Sequence, residues 1–340
     1  MSVKIYTEEK FQEEIVLRYT DIIGEKLGGK VIAFSDEWFA KAENLIKPKA
    51  PIRDATRFTY AGAWYDGWET RRHNTEEADW VIIKMGVSSA SLIGAEVDTA
   101  FFNGNHAPHV SIEATVLSDD SLYEDPSIKW DTIISKTECG PSQRHFFVRD
   151  SITEEKYTHV RIKMYPDGGI ARFRLYGTVH PIIPNDISTL LDTASAIQGG
   201  VCVSFSDQHF GSADNLLLPG RGHDMSDGWE TKRSRTPGHV DWALIKLGFP
   251  TVVKQIVIDT AHFRGNFPQS IKVEAINSSE DKPNPDDEKF EEIVGVSKTS
   301  ADKEHHYIIE NQDKVYTHIK VTMIPDGGIK RVRCFGTLHV

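Results

Sequence analysis

Between Trp68 and Asn74 the chain sets an indole, a carboxylate, two guanidinium groups and an imidazole side by side, as Trp68-Glu69-Thr70-Arg71-Arg72-His73-Asn74. Arginine grips a carboxylate through parallel N–H bonds, while glutamate and histidine carry protons. Such a set suits a small anionic substrate that must be held and protonated. A loop corner with Trp68 packed inside and Glu69 paired to an arginine accounts for the same residues without chemistry. A second group follows at Phe101-Phe102-Asn103-Gly104-Asn105-His106-Ala107-Pro108-His109. Asn105 offers an amide. His106 and His109 stand three apart, a spacing two imidazoles use on a divalent cation, although a pair without a third ligand is a weak metal signal. Arg144, in Gln143-Arg144-His145, and Arg172, just past Pro166-Asp167-Gly168-Gly169-Ile170, are further candidates for binding an anion. Cys139 lies in Glu138-Cys139-Gly140-Pro141 and reads as a free loop thiol rather than a nucleophile.

The elements that must position these groups occur twice. Phe34-Ser35-Asp36 returns as Phe205-Ser206-Asp207, and Asp66-Gly67-Trp68-Glu69-Thr70 as Asp227-Gly228-Trp229-Glu230-Thr231. Asp98-Thr99-Ala100 returns as Asp259-Thr260-Ala261, and Pro166-Asp167-Gly168-Gly169-Ile170 as Pro325-Asp326-Gly327-Gly328-Ile329. The order is kept over domain-sized copies, far longer than a solenoid unit. Copy one runs from about Leu27 to Thr178 and copy two from about Gln198 to Val340, which divides the chain into domains 1–180 and 181–340. Shared residues point to fold, and unshared ones to chemistry. His73 stands where copy two has Ser234, His106 where it has Phe267, and His109 and Arg144 have no match, whereas His145 is kept as His306. On this reasoning the chain holds one active site, to which copy one supplies most of the groups while copy two mainly buttresses them or lines the far wall.

Within each copy the dominant period is two. Val160, Ile162 and Met164 alternate with charged neighbours, as do Ala171, Phe173 and Leu175. This is the pattern of half-buried strands with one solvated face. Asp79–Gly86 is a nearly continuous apolar run, expected as a central strand. Short strands with Gly, Pro, Asn and Asp between them predict an all-β chain of two antiparallel sandwiches. Phe11–Ile23 and Asp186–Ala196 read as short helices ahead of each copy, and Glu37–Leu45 as a capped turn. If Pro166–Ile170 closes a hairpin, Arg161, Lys163, Arg172 and Arg174 share one face, with Glu113 to neutralise them; Glu274 would do the same beside Lys320, Arg331 and Arg333. The acidic stretch Asn277–Glu291 reads as a solvated excursion.

The 340 residues carry a formal charge of −11, which argues against nucleic acid or an anionic membrane as main partner. No apolar run is long enough to span a bilayer, and the N-terminus lacks an apolar signal core. Three cysteines, Cys139, Cys202 and Cys334, show no metal-type spacing. Together these features predict a cytoplasmic protein, with self-association into a homo-oligomer left open. No Walker loop, dinucleotide fingerprint, zinc-protease motif or nucleophile elbow is present.

Phe34-Ser35-Asp36-Glu37-Trp38-Phe39, Trp64-Tyr65-Asp66-Gly67-Trp68-Glu69-Thr70-Arg71-Arg72, Phe102-Asn103-Gly104-Asn105-His106-Ala107-Pro108 and Pro166-Asp167-Gly168-Gly169-Ile170-Ala171-Arg172 resemble the allantoicase (allantoate amidinohydrolase) family. The resemblance spans almost the whole chain, including the tandem repeat. It implies two galactose-binding-like jelly-roll domains and hydrolysis of allantoate to ureidoglycolate and urea in purine degradation. Some bacterial members of that family are associated with a divalent metal, for which His106 and His109 are the candidates here; the sequence itself demands no cofactor. With allantoate as substrate, Arg71, Arg72, Arg144 and Arg172 are candidate carboxylate ligands, Trp68 and Asn105 candidate binding residues, and Glu69, His73 and His106 candidate proton carriers. Two other readings stand beside it: a non-catalytic jelly-roll module that binds a sugar or other small polar ligand, and a hydrolase or lyase acting on a related ureido compound such as ureidoglycolate.

Overall fold

The computed structural model describes residues 3–310 and 313–339. The chain divides into two compact units, Met1–His180 and Pro181–Val340.

In the first unit ten strands build a jelly-roll sandwich: β1 (Val3–Ile5), β2 (Thr20–Asp21), β3 (Lys30–Phe34), β4 (Asp79–Lys84), β5 (Ala90–Asp98), β6 (His109–Thr115), β7 (Asp131–Glu138), β8 (Arg144–Arg149), β9 (His159–Tyr165) and β10 (Arg172–Val179). One five-stranded sheet has the order β1-β8-β5-β10-β2 and the other β7-β6-β9-β4-β3. The period-two residues face inward as expected: Val160, Ile162 and Met164 of β9 and Phe173 and Leu175 of β10 are fully buried. The Asp79 run forms an inner strand, with β9 on one side and β3 on the other.

The second unit repeats this plan with β11 (Leu191–Asp192), β12 (Val201–Phe205), β13 (Asp241–Asp259), β14 (Ser270–Ile276), β15 (Glu291–Lys298), β16 (Glu304–Ile308), β17 (Val315–Ile324) and β18 (Arg331–Leu338). Here β13 takes part in both layers. Its residues 241–246 pair with β12 and β17, and after a register break its residues 251–259 pair with β16 and β18. In the first unit the equivalent run is split into β4 and β5.

Several expectations are corrected. Asp186–Ala196 is not helical: Asp186 caps a turn through the Ser188 N–H, and Leu191 joins a sheet opposite Gly336. The N-terminal helical stretch covers Glu8–Phe11 and Gln12–Val16 only, because residues 20–21 pair with β10. The capped turn does form: Glu37 accepts the Ala42 N–H at 3.1 Å at the start of a short 3-10 helix, Ala42–Ile46. Pro166–Ile170 is not a hairpin but an arch between layers, since β9 and β10 lie in different sheets. Arg161 and Lys163 are therefore separated from Arg172 and Arg174. Glu113 neutralises the first two, at 2.6 and 2.9 Å. Arg172 instead meets Asp66 at 2.8 Å, and Arg174 lies 3.6 Å from Asp21. The counterpart of His145 is His305 rather than His306: each faces the residue before the strand-end aspartate, Val97 or Ile258, and each accepts a backbone N–H five residues back. By the same register Arg144 corresponds to Glu304.

Register also gathers the loops that matter. Tyr165 faces His109, Arg172 faces Asp98, and Met164 faces Asp79, so the segments 66–78, 99–108 and 166–171 meet at one end of the first sandwich. There Trp68–Glu69 forms a two-residue antiparallel pair with Gly169–Ile170, as Trp229–Glu230 does with Gly328–Ile329. A Cβ on Gly169 would lie 2.2 Å from the Phe102 ring, whereas one on Gly104 would meet nothing within 4 Å. Gly169→Ala should therefore destabilise the protein by about 1–3 kcal/mol through overpacking, and Gly104→Ala should be near neutral; thermal unfolding of the two variants measures the difference.

Candidate functional site

Strand alternation orients the first candidates. Neighbouring residues of a strand point to opposite faces, so Trp68 goes inward when Glu69 goes to the loop side. Trp68 is 0% exposed and its indole N–H donates to the Asp36 carbonyl at 2.7 Å. Trp229 does the same to Asp207 at 2.8 Å. With no exposed surface, Trp68 supports the site from below and does not reach a ligand. The Phe-Ser-Asp motif completes this support. Ser35 donates to Asp79 at 2.7 Å, and the Asp36 carboxylate accepts the Arg71 N–H at 2.8 Å, with Ser206, Asp241, Asp207 and Lys232 repeating both bonds in the second unit.

Glu69 is the centre of the first site. It is 5% exposed, and its Oε1 accepts from Arg72 Nη2 at 2.9 Å and from Asn105 Nδ2 at 2.8 Å. Burial raises its pKa, against the opposing pull of Asn105 and Arg72. Arg72 also donates to the Thr70 carbonyl at 2.8 Å and lies 3.7 Å from Asp167. Asp167, in turn, accepts the Asn74 N–H at 3.1 Å. Of the sequence candidates, the structure thus brings together Glu69, Arg72 and Asn105.

The others lie elsewhere or face outward. Arg71 is exposed and paired to Asp36 at 3.0 Å. Arg144 is held between Glu96, at 2.7 Å, and Glu8. Arg172 is 3% exposed and spends its donors on Asp66 and on the Lys49 and Ala171 carbonyls, so it ties loops together rather than facing a ligand. His73 is exposed with a left-handed backbone, φ 64°. His106, part-buried beside Asn105, has Nδ1 3.0 Å from the Asn103 carbonyl oxygen. His109 begins β6. Among the described residues no three His, Cys, Asp or Glu side chains gather as a metal-binding group, so His106 and His109 lack the third ligand a resident metal needs. Cys139 is a free thiol just past the end of β7, as expected, but it is buried, and burial pushes its pKa up to about 12, away from nucleophilic use.

The second unit carries the same constellation. Asn266 Nδ2 donates to Glu230 Oε1, and Asp326 accepts the Ser234 N–H at 2.8 Å. These residues line a pocket of about 560 Å³ together with Phe210, Thr231 and Arg233. Arg233 is exposed and makes no ion pair or hydrogen bond among the described residues. The two turns differ by one residue. Asn74 Oδ1 accepts the Glu76 N–H, and Ser234 Oγ accepts the Thr236 N–H, so Ser234 is the structural partner of Asn74, and His73 is an extra residue absorbed by its left-handed backbone. His73 is thus an insertion in the first turn and not the counterpart of Ser234. Sequence reasoning passed over Asp167 and the second-copy residues Glu230, Arg233, Asn266 and Asp326. Their signal was the repeat itself, which keeps a carboxylate, a guanidinium, an amide and a second carboxylate at matching places.

The chain matches the allantoicase repeat family model over residues 20–180 and again over 191–339. It is 59% identical to an allantoicase of Saccharomyces cerevisiae across 97% of each chain, and 53% identical to an allantoicase of Neurospora crassa across 93% of this chain and 90% of that one. A crystal structure of the Saccharomyces cerevisiae allantoicase superposes with a TM-score of 0.86 at 54% identity, covering 98% of this chain and 100% of that one.

The buried Glu69 carboxyl implies a measurable linkage. Its folded-state pKa lies above the ordinary value. Its ionisation therefore opposes folding: the penalty is absent below the unfolded-state pKa and complete above the folded-state one. Glu69→Gln should melt at a higher temperature than the parent at pH 8, and the gap should close as pH falls towards 4. Thermal melts across that range test this, and an equal gap at every pH would refute it.

Proposed function

The chain belongs to the allantoicase family, and from that premise we propose that it hydrolyses allantoate to ureidoglycolate and urea at the Glu69–Arg72–Asn105 group and at its counterpart Glu230–Arg233–Asn266. It is a hydrolase of carbon–nitrogen bonds other than peptide bonds, in linear amidines. The observation that carries the site assignment is the nearly buried Glu69 carboxylate accepting at once from a guanidinium and from an amide.

Allantoate bears one carboxylate and two ureido groups on a single carbon. In the reaction a C–O bond to water forms at that carbon while one C–N bond breaks. The water gives up a proton and the departing nitrogen gains one, so that neutral urea leaves. Arg72 and Arg233 take the substrate carboxylate through paired N–H bonds. Asn105 and Asn266 bond a ureido group. A glutamate whose pKa is lifted by burial holds its proton closer to neutral pH, which fits Glu69 as donor to the leaving nitrogen. His106, next to Asn105 in the chain, is the alternative donor in the first unit. We further take the enzyme to be cytoplasmic, a reading supported by three cysteines that are all unpaired and buried.

Release of urea from allantoate, with ureidoglycolate as comparison substrate, tests the reading. Glu69→Gln with Glu230→Gln should lower kcat by about 10²–10⁴-fold, the usual worth of a proton-transfer group. Arg72→Ala with Arg233→Ala should act mainly on KM. Alanine at His73 and His106 should cost much less than the glutamate pair. A larger loss at the histidines would move the chemistry to the unshared residues of the first unit, and no urea from folded protein would sink the assignment.

A further inference from the structure

Asp167 and Asp326 sit in the arch between the sandwich layers, on the segment shared as Pro-Asp-Gly-Gly-Ile. The arch is clamped by a buried threonine in each unit. Thr70 N–H donates to the Gly168 carbonyl at 3.0 Å and Thr70 Oγ1 accepts the Gly168 N–H at 3.3 Å, and Thr231 makes both bonds to Gly327 at the same lengths. The aspartate is thus a fixed point. Its Oδ2 accepts one backbone N–H from the turn that carries the arginine: Asn74 at 3.1 Å in the first unit and Ser234 at 2.8 Å in the second.

Before the arginine both turns are held alike, by the Arg71 or Lys232 N–H on Asp36 or Asp207; beyond it they differ in length and in the arginine's partners. One is a residue longer, with His73 in the left-handed region. In one, Arg72 lies on Glu69 and 3.7 Å from Asp167; in the other, Arg233 is unpartnered among the described residues. The aspartate-to-backbone bond survives both changes. An ion pair with the arginine cannot be its purpose in the second unit, where no such pair is made. On the far side of the arginine, what both units retain is an anchor that ends the turn one or two residues beyond it.

Resting on the assignment of Arg72 and Arg233 as substrate-carboxylate ligands, we propose that Asp167 and Asp326 are positioning residues, which fix the arginine-bearing turns by accepting the Asn74 and Ser234 backbone N–H groups. They act through the turn and not on the reacting atoms. Removing the anchor lets the guanidinium wander, and a displacement of about 1 Å in a binding group costs up to about a hundredfold.

The test compares Asp167→Ala/Asp326→Ala with Asp167→Asn/Asp326→Asn in the full chain, by allantoate-dependent urea release and by thermal melting. The alanine pair should raise KM on the order of tenfold and change kcat less, because binding geometry is lost while the proton donor stays. The asparagine pair should recover most of that loss, since its side-chain oxygen still accepts the N–H. The single variants serve where the alanine pair does not fold. A folded alanine variant with unchanged KM overturns the proposal, as does an asparagine pair as impaired as the alanine pair, which would make the charge and not the anchor the working part. Arg72→Ala/Arg233→Ala separates the two levels: if that variant leaves KM unchanged, the arginine assignment fails and takes this inference with it, whereas a raised KM there beside an unchanged one in the aspartate variants sinks the positioning role alone.

Discussion

The site depends on a contact two residues long. Trp68–Glu69 can pair with Gly169–Ile170 only because Gly169 has no side chain and the Phe102 ring fills the place a Cβ would take. That packing brings three loops within bonding distance: the one carrying Arg72, the one carrying Asn105 and the arch carrying Asp167. It also settles which way Glu69 points. The indole beside it is driven into the core, and alternation along the strand then turns the carboxylate towards the loops. The second unit repeats the contact with Gly328 against Phe263.

Charge in this protein is sorted by its distance from that contact. On the outer sheet faces Glu113 and Glu274 neutralise Arg161, Lys163, Lys272 and Lys320 in ordinary part-exposed pairs. Nearer the loops Arg172 and Arg331 are buried against Asp66 and Asp227 and fasten the approach to the tryptophan. A buried ion pair stabilises little in net terms but is costly to break, so it works as a fixed joint. At the loop end the buried Glu69 carboxylate keeps a part-exposed partner, Arg72. Arg72 rests on Glu69 in one unit and Arg233 stands clear in the other, the difference on which the proposed carboxylate-binding role of the arginine draws.

The duplication is a stronger control in three dimensions than along the chain. In the sequence, His73, His106, His109 and Arg144 stand out because copy two lacks them, which favoured one site per chain. In the structure Arg144 is an outlying joint to Glu96 and Glu8, and His73 is an extra turn residue. Ser234 proves to be the equivalent of Asn74, a match that alignment by letters misplaces by one position. Absence from one copy marked an insertion at His73 and a local pairing at Arg144. Presence in both marked the carboxylate, guanidinium and amide to which the proposed chemistry is assigned.

The sequence by itself determined that the chain is all-β, that it is built twice, and which strands bury which faces. The strands are written in local periodicity and the duplication in the order of repeated motifs, and both survive without knowing what lies opposite. It also carried enough motif order to place the chain beside the allantoicase family. Only the tertiary structure decided that the Pro-Asp-Gly-Gly arch joins two layers rather than closing a hairpin, that Arg161 and Arg172 belong to different faces, and that Asp167 reaches back 93 residues to the Asn74 backbone. The reason is physical. Such a bond depends on which strands become neighbours, and neighbourhood is fixed by the packing of the whole core, not by any short stretch of chain.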